Sequence, residues 1–207
     1  MEPSISFGPE DHSGLVHPHD DALLFSADVA NCTLCRIFVD SGSSVNIIYK
    51  DCLIVMALDA TLKLPGNPLY GITGESILPL GSLELPMTWG KEGTSRTRIL
   101  KFLVVDFPKL SYNIITGRPA LNAFQAVISM YHLKMKFLLE GGRVGEVVGN
   151  QVTSKECFVK SLTAQAGSKR TQGSQGGPTE KIARAGGGSG NTAKQTEIEE
   201  IGRSLEK

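Results

Sequence analysis

The sequence lacks a net charge, because its 21 Lys and Arg residues balance its 21 Asp and Glu residues. Proteins that bind nucleic acid or an anionic membrane through electrostatics carry a basic excess, so neither partner is expected. The sequence also lacks any apolar run approaching the roughly 18 residues of a membrane span. Residues 1–11 are polar, without the basic and apolar regions of a signal peptide. These absences predict an intracellular, cytoplasmic protein.

Cysteine and histidine residues at the spacing of metal ligands are also scarce. Cys32 and Cys35 form one Cys-x-x-Cys, but the other two cysteines are single and distant, so a four-ligand zinc site is not expected. This pair lies between two strand-like runs, whereas a redox pair normally opens a helix. His17 and His19 stand beside two aspartates, but in a terminal segment without supporting residues, which favours a solvated lead-in. We therefore predict no metal and no organic cofactor.

The apolar residues, 41% of the 207, fall in short runs separated by turn residues. Such runs predict strands, at residues 22–29, 34–39, 45–48, 80–88, 99–105, 127–129, 133–138 and 143–148. Short helices are predicted over 49–58 and from Pro119, and a helix or strand over 153–162. Many short strands with few short helices predict a mostly-β fold with a closed, barrel-like core.

The composition divides the chain into three parts. Residues 1–20 form a polar lead-in, and residues 21–163 form the predicted domain. Residues 164–207 are rich in Gly, Ser and Lys with few large apolar side chains, so they predict a disordered tail. Within this tail, Ile198, Ile201 and Leu205 share one helical face, which indicates a short helix over 194–206 of marginal stability.

The stretch that organises the domain is a strand ending in Asp40-Ser41-Gly42, with a second apolar strand directly after it. A carboxylate at a strand end is held out of the core, and the glycine allows a tight turn and a close backbone approach. This is the arrangement that an aspartic protease needs. The same tripeptide is also a common hairpin turn, so an incidental turn aspartate is the plain alternative.

Two further motifs follow in order. Two glycines flank Ile72-Thr73 within a strand-like stretch, which predicts a hairpin with a mobile tip. An apolar strand then runs through Ile114 and Ile115 to Gly117, before Arg118 and a helix.

Taken together over residues 5–163, these motifs resemble retropepsin-type aspartic proteases. More narrowly, they are similar to the protease segment of plant gypsy-type LTR retrotransposon polyproteins. The matching blocks are the one from Asp40, the one from Asn113 to Leu121, and a third from Ser129 through Tyr131-His132 to Phe137.

The resemblance implies a retropepsin-like closed β-barrel and a role for each matching residue. Asp40 would be the catalytic aspartate, in an active-site loop with Ser41, Gly42 and Ser43. In that loop the Ser41 hydroxyl would link two such loops, and the Gly42 carbonyl would contact substrate. The flap over the substrate would comprise Gly71, Ile72, Thr73, Gly74 and Ser76. The loop that supports Asp40 would contain Ile114, Ile115, Gly117 and Arg118.

One catalytic aspartate per chain has a further consequence, because this chemistry requires two carboxylates that share a proton. We therefore predict a symmetric homodimer with its active site on the two-fold axis. It would hydrolyse peptide bonds of an extended peptide or polyprotein substrate with an activated water.

Two departures from the pattern, neither of which forbids catalysis, leave an alternative open. Thr116 stands where the family has leucine, and Ser41 where threonine is commoner. These changes fit a catalytically inactive scaffold that dimerises or binds peptides. A nucleic-acid-binding segment is disfavoured by the neutral charge and by the absence of a Cys/His knuckle.

Overall fold

The computed structural model describes residues 3–12, 14–58, 60–64, 66–71, 76–106 and 111–171, with side chains as far as residue 162. The strands are β1 (Leu24–Val29), β2 (Cys32–Val39), β3 (Asn46–Tyr49), β4 (Leu69–Tyr70), β5 (Ser76–Ile77), β6 (Gly81–Trp89), β7 (Arg96–Val105), β8 (Ile114–Thr116), β9 (Ala126–Ser129), β10 (Lys134–Leu138) and β11 (Val144–Val148). The helices are α1 (Lys50–Val55), α2 (Arg118–Phe124) and α3 (Gln151–Thr171), with a 3-10 turn at Pro9–His12.

Six of these strands close into a barrel in the order β1, β2, β8, β3, β7, β6. Three more strands form a sheet in the order β11, β10, β9, and β4 pairs with β5. The predicted mostly-β fold class with a closed barrel and short helices is therefore confirmed. The predicted strands are present with their ends shifted by a few residues.

Strand alternation explains how the barrel fills. In β6, the inward residues Leu83, Leu85, Met87 and Trp89 are buried, whereas their neighbours Glu84 and Pro86 are exposed. Successive side chains of a strand point to opposite faces, so this apolar row lies on one face of the sheet. β7 completes the hairpin with nine antiparallel residue pairs from Gly81–Val104 to Trp89–Arg96.

An aromatic cluster joins α2 and the three-stranded sheet to the barrel. The Trp89 ring stacks on Phe124 of α2, with ring centroids 3.8 Å apart. Phe25 of β1 and Phe137 of β10 meet the same indole edge-on at 5.6 and 6.0 Å. Large aromatic rings contribute much of the apolar area in a core, so this cluster fixes the helix that follows β8.

Parallel pairing brings the candidate site together. β2 runs parallel to β8, with Val39 opposite Thr116, and β3 runs parallel to β7. β3 also pairs antiparallel with β8. The strand that ends at Val39 and the strand that ends at Thr116 therefore finish side by side.

The N-terminal residues differ from the predicted solvated lead-in. Asp11 is buried, and its carboxylate accepts hydrogen bonds from Lys134 and Lys136 of β10, each at 2.8 Å. The hydrogen bonds from Lys134 and Lys136 hold the pKa of this carboxyl well below its usual range. Pairing of this kind is what permits an aspartate to be buried, and it attaches the segment to the sheet.

The chain divides into two compact units, Met1–Lys155 and Glu156–Lys207. The barrel and the three-stranded sheet lie in the first unit. Of the second unit, the structure describes the end of α3. This helix extends to Thr171, whereas the predicted domain ends at residue 163. Residues 172–207, including the predicted helix over 194–206, lie outside the described residues. In the ranges that are described, no helix combines the length and the apolar character needed to cross a membrane.

Candidate active site

Asp40 follows β2 directly and begins a tight turn. Its N–H donates to the Thr116 carbonyl at 2.9 Å, and its own carbonyl accepts the Ser43 N–H at 3.1 Å. The Gly42 N–H donates to the Asp40 carboxylate Oδ1 at 2.9 Å. Asp40 is half-buried and Ser41 and Gly42 are exposed. The carboxylate is thus held in one orientation at the surface rather than in the core.

The position two residues after Asp40 has little room for a side chain. A Cβ on Gly42 would lie 3.1 Å from Asp40 Oδ1, which is tighter than an ordinary van der Waals contact. Glycine therefore allows the backbone amide to approach the carboxylate.

β8 supports the turn from beneath. Thr116 is fully buried, and its Oγ1 donates to the Phe38 carbonyl at 3.0 Å. A buried hydroxyl without a partner would be costly, but this one is satisfied. Thr116 thus contacts the Asp40 strand twice, through its side chain and through the carbonyl that accepts the Asp40 N–H.

The start of α2 supports the turn from its other side. The Arg118 N–H donates to the Ser43 carbonyl at 3.0 Å. The Arg118 guanidinium Nη1 donates to the carbonyls of Gly42 at 2.8 Å and Ser41 at 3.3 Å. The predicted substrate acceptor, the Gly42 carbonyl, therefore already accepts one hydrogen bond and retains a second lone pair.

Asn46 is a supporting residue that sequence reasoning missed. Its side chain is buried, and Nδ2 donates to the Lys101 carbonyl of β7 at 3.0 Å. Its Oδ1 accepts the Gly117 N–H at 3.0 Å. One amide thus joins β3, β7 and the loop before α2. The sequence did offer one signal, an amide side chain within an apolar strand, because an amide that becomes buried there needs hydrogen-bond partners.

A second missed pair joins β2 to the segment before β8. The Asn113 Nδ2 donates to the Cys35 carbonyl at 2.8 Å, and the Arg36 Nη2 donates to Asn113 Oδ1 at 3.2 Å. Arg36 has φ +56°, a left-handed conformation that is uncommon outside glycine. The pair holds this irregular point of β2 in place, four residues before Asp40.

The predicted flap is described only at its base. β4 and β5 pair antiparallel, with Leu69 opposite Ile77 and Tyr70 opposite Ser76, so the predicted hairpin is present. Gly71 and Ser76 are exposed. The predicted tip residues Ile72, Thr73 and Gly74 lie outside the described residues.

The structure places the loop that contains Ile114, Ile115 and Gly117 directly beside the Asp40 turn. Ile114 is buried and Ile115 half-buried in β8, with Ile115 opposite Phe38. In the described part of the chain, Asp40 makes no ion pair, and no three or more His, Cys, Asp or Glu residues are arranged to hold a metal ion. Water activation by a carboxylate pair would need a second carboxylate beside Asp40.

No protein-family model matches the chain, and no curated protein sequence matches it. Among solved structures, the retroviral protease-like domain of Ddi1 from Leishmania major is similar with 17% identity and a TM-score of 0.46, over 62% of this chain and 96% of that one. EIAV protease complexed with the inhibitor HBY-793 shows 17% identity and a TM-score of 0.41, over 56% and 99%. A retropepsin-like aspartic protease from Rickettsia conorii shows 18% identity and a TM-score of 0.41, over 60% and 80%. At these sequence identities and TM-scores, the similarities give no information on the function of this chain.

Proposed function

We propose that this protein is an aspartic endopeptidase that acts as a symmetric homodimer, with one Asp40 contributed by each subunit. The observation that carries the proposal is the geometry of the Asp40 turn. The carboxylate stands at a strand end, oriented by the Gly42 N–H and held from below by Thr116. An incidental surface aspartate would not need supporting hydrogen bonds from β8 and from α2.

The chemistry follows from two such carboxylates meeting at a two-fold axis. Like charges a few ångströms apart cannot both ionise, so the pair shares one proton. The ionised Asp40 removes a proton from water, which attacks the peptide carbonyl. The protonated Asp40 of the partner subunit polarises that carbonyl and later donates to the leaving nitrogen. No metal and no organic cofactor takes part in this mechanism.

The substrate in this proposal is an extended peptide. The β4–β5 hairpin would close on it and form strand-like hydrogen bonds, as sheet edges do with added peptides. In this role Gly71, Ile72, Thr73, Gly74 and Ser76 form the flap, and Ser41 links the two active-site loops. The motifs resemble retrotransposon proteases, so we further propose a retroelement origin, polyprotein processing as the biological reaction, and the cytoplasm as the location.

The decisive experiment compares the purified protein with Asp40→Asn on a mixed peptide library at about pH 4 to 7, with and without pepstatin. The expected result is pepstatin-sensitive cleavage that Asp40→Asn abolishes without loss of folding. Asp51→Asn is the matched control, because Asp51 is an exposed aspartate on α1. Cleavage that persists in Asp40→Asn would refute the assignment.

A mixing experiment tests whether two subunits share the site. Adding an equal amount of Asp40→Asn to a fixed amount of the normal protein, with subunit exchange, should reduce cleavage to about half, because only dimers with two Asp40 residues are active. Undiminished cleavage would show that one chain suffices. A folded dimer that cleaves nothing would indicate the inactive scaffold instead.

A further inference from the structure

Two histidines of the N-terminal segment, defined here as residues 3–12 and 14–21, bring their ring nitrogens face to face. His12 Nδ1 and His17 Nε2 are 3.4 Å apart. Most protein hydrogen bonds to nitrogen span about 2.7–3.2 Å between heavy atoms, so this contact is a long one. His12 is half-buried and His17 is exposed. These two residues are called the histidine pair.

The separation within the histidine pair fits two ligands of one metal ion. Zinc binds histidine nitrogens at about 2.0–2.1 Å in tetrahedral sites, so two such nitrogens lie about 3.3–3.4 Å apart. The 3.4 Å between His12 Nδ1 and His17 Nε2 agrees with this spacing. A metal ion could therefore replace the shared proton with little movement of the backbone. Neutral imidazole is a suitable ligand for zinc, copper and nickel ions.

The chain next to His12 is attached to the three-stranded sheet. The preceding residue, Asp11, is buried and pairs with Lys134 and Lys136 of β10, each at 2.8 Å. Lys136 also donates a hydrogen bond to the Ser6 carbonyl at 2.8 Å. The backbone that carries His12 is therefore fixed by contacts that do not involve its imidazole ring.

The chain on both sides of His17 is attached as well. The Gln151 side chain donates to the Val16 carbonyl and accepts from the Val16 N–H, both at 3.0 Å. On the other side, His19 Nε2 lies 3.2 Å from the Tyr131 carbonyl. The two members of the histidine pair are thus positioned independently of each other. Binding a metal ion would not require the chain to become ordered first, which favours affinity.

The other histidines nearby are engaged in different contacts. His132 Nδ1 lies 2.7 Å from the Ser129 hydroxyl. His19 Nδ1 lies 4.0 Å from the Asp21 carboxylate. Among the residues that the structure describes, no three His, Cys, Asp or Glu side chains converge on one metal position. Water would therefore supply the remaining ligands, and the exposed His17 leaves the pair open to water.

We propose that His12 and His17 bind one divalent transition-metal ion of the zinc and copper class, through Nδ1 and Nε2 respectively, with water completing the coordination. The sequence predicted a solvated lead-in here, because the contacts that attach it to β10 and to Gln151 are long-range. The ion takes no part in the cleavage proposed for Asp40, so neither proposal depends on the other.

The test is isothermal titration calorimetry of the whole chain with zinc chloride, after iodoacetamide has blocked the exposed thiols. We expect zinc binding whose affinity falls at least about tenfold in His12→Gln and in His17→Gln, because even the loss of a residue that only supports a ligand costs about 10–100-fold. His132→Gln is the matched control. Its ring lies 4.4 Å from the His12 ring but is not a member of the pair, so its zinc affinity should be unchanged. No zinc binding, or full affinity in either pair variant, would overturn the proposal.

NMR of the normal protein decides the case in which a substitution disturbs folding. One equivalent of zinc should shift or broaden the imidazole Cε1–H signals of both His12 and His17, because both rings contact the ion. Zinc that leaves either of these signals unchanged would refute a site shared by the two residues.

Discussion

Replacing Gly117 with alanine tests how the start of α2 supports the Asp40 turn. Gly117 precedes α2 with φ −96°, a conformation that any residue can adopt, so the substitution acts through sterics alone. An added Cβ would overlap the Val45 carbonyl oxygen and would lie 2.8 Å from the Ser43 carbonyl oxygen. Both obstacles are backbone atoms, which cannot rotate away as a side chain would.

The expected magnitude has two parts. Forcing extra atoms into a packed site costs about 1–3 kcal/mol. Moving the Ser43 carbonyl also weakens its hydrogen bond from the Arg118 N–H, now 3.0 Å long, at a cost of about 1 kcal/mol. We expect Gly117→Ala to lower the free energy of unfolding by about 2–4 kcal/mol, measured by urea denaturation at fixed protein concentration.

Gly66→Ala is the matched control for this substitution. A Cβ on Gly66 would meet no atom within 4 Å, and its φ lies outside the left-handed region. Its effect should stay within about 0.5 kcal/mol, as for most surface substitutions. Because the displaced Ser43 belongs to the Asp40 turn, Gly117→Ala should also reduce cleavage under conditions where it remains folded. Equal stability of the two variants would refute the reasoning.

Two further predictions concern groups with shifted pKa values. Hydrogen bonds from Lys134 and Lys136 lower the pKa of Asp11, so its charge stabilises the fold above about pH 4 and this contribution disappears as the pH falls further. Asp11→Asn should therefore lower the urea midpoint at neutral pH, by a margin that shrinks in acid. Burial raises the pKa of the Cys52 thiol to about 11, whereas Cys35 is exposed. Iodoacetamide should label Cys35 first and Cys52 only after unfolding, as read by peptide mass spectrometry.

Local patterns predicted most of the strands, because alternation and turn residues act over a few positions. The first hairpin shows where this reasoning fails. The strands predicted at residues 22–29 and 34–39 leave the turn at 30–33, but β2 begins at Cys32 and the turn contains only Ala30 and Asn31. Ala30 has φ +52°, a conformation that is unusual for alanine. The antiparallel pairing of Val29 with Cys32 imposes it, and no local propensity indicates this.

At the candidate site, too, local contacts could be predicted from the sequence and long-range contacts could not. Asp40 and Gly42 could be found from sequence because the carboxylate and the amide it accepts are two residues apart. Asn46 could not be assigned its role, because its partners lie 55 and 71 residues further along the chain. The contact between His12 and His132, whose ring centroids lie 4.4 Å apart, could not be predicted for the same reason, because the two residues are far apart in the chain.

Thr116 shows how the folded structure changes the meaning of a sequence difference. In the sequence alone, Thr116 differs from the leucine of the proteases that the motifs resemble. A hydroxyl at this position therefore fits a catalytically inactive protein. In the fold, that hydroxyl donates to the Phe38 carbonyl, two residues before Asp40, and leaves no polar atom of the side chain unsatisfied. The substitution exchanges apolar packing for a hydrogen bond to the strand that carries the aspartate. Thr116 therefore gives no reason to expect a collapsed site, and in the proposed mechanism cleavage would require two Asp40 turns to meet.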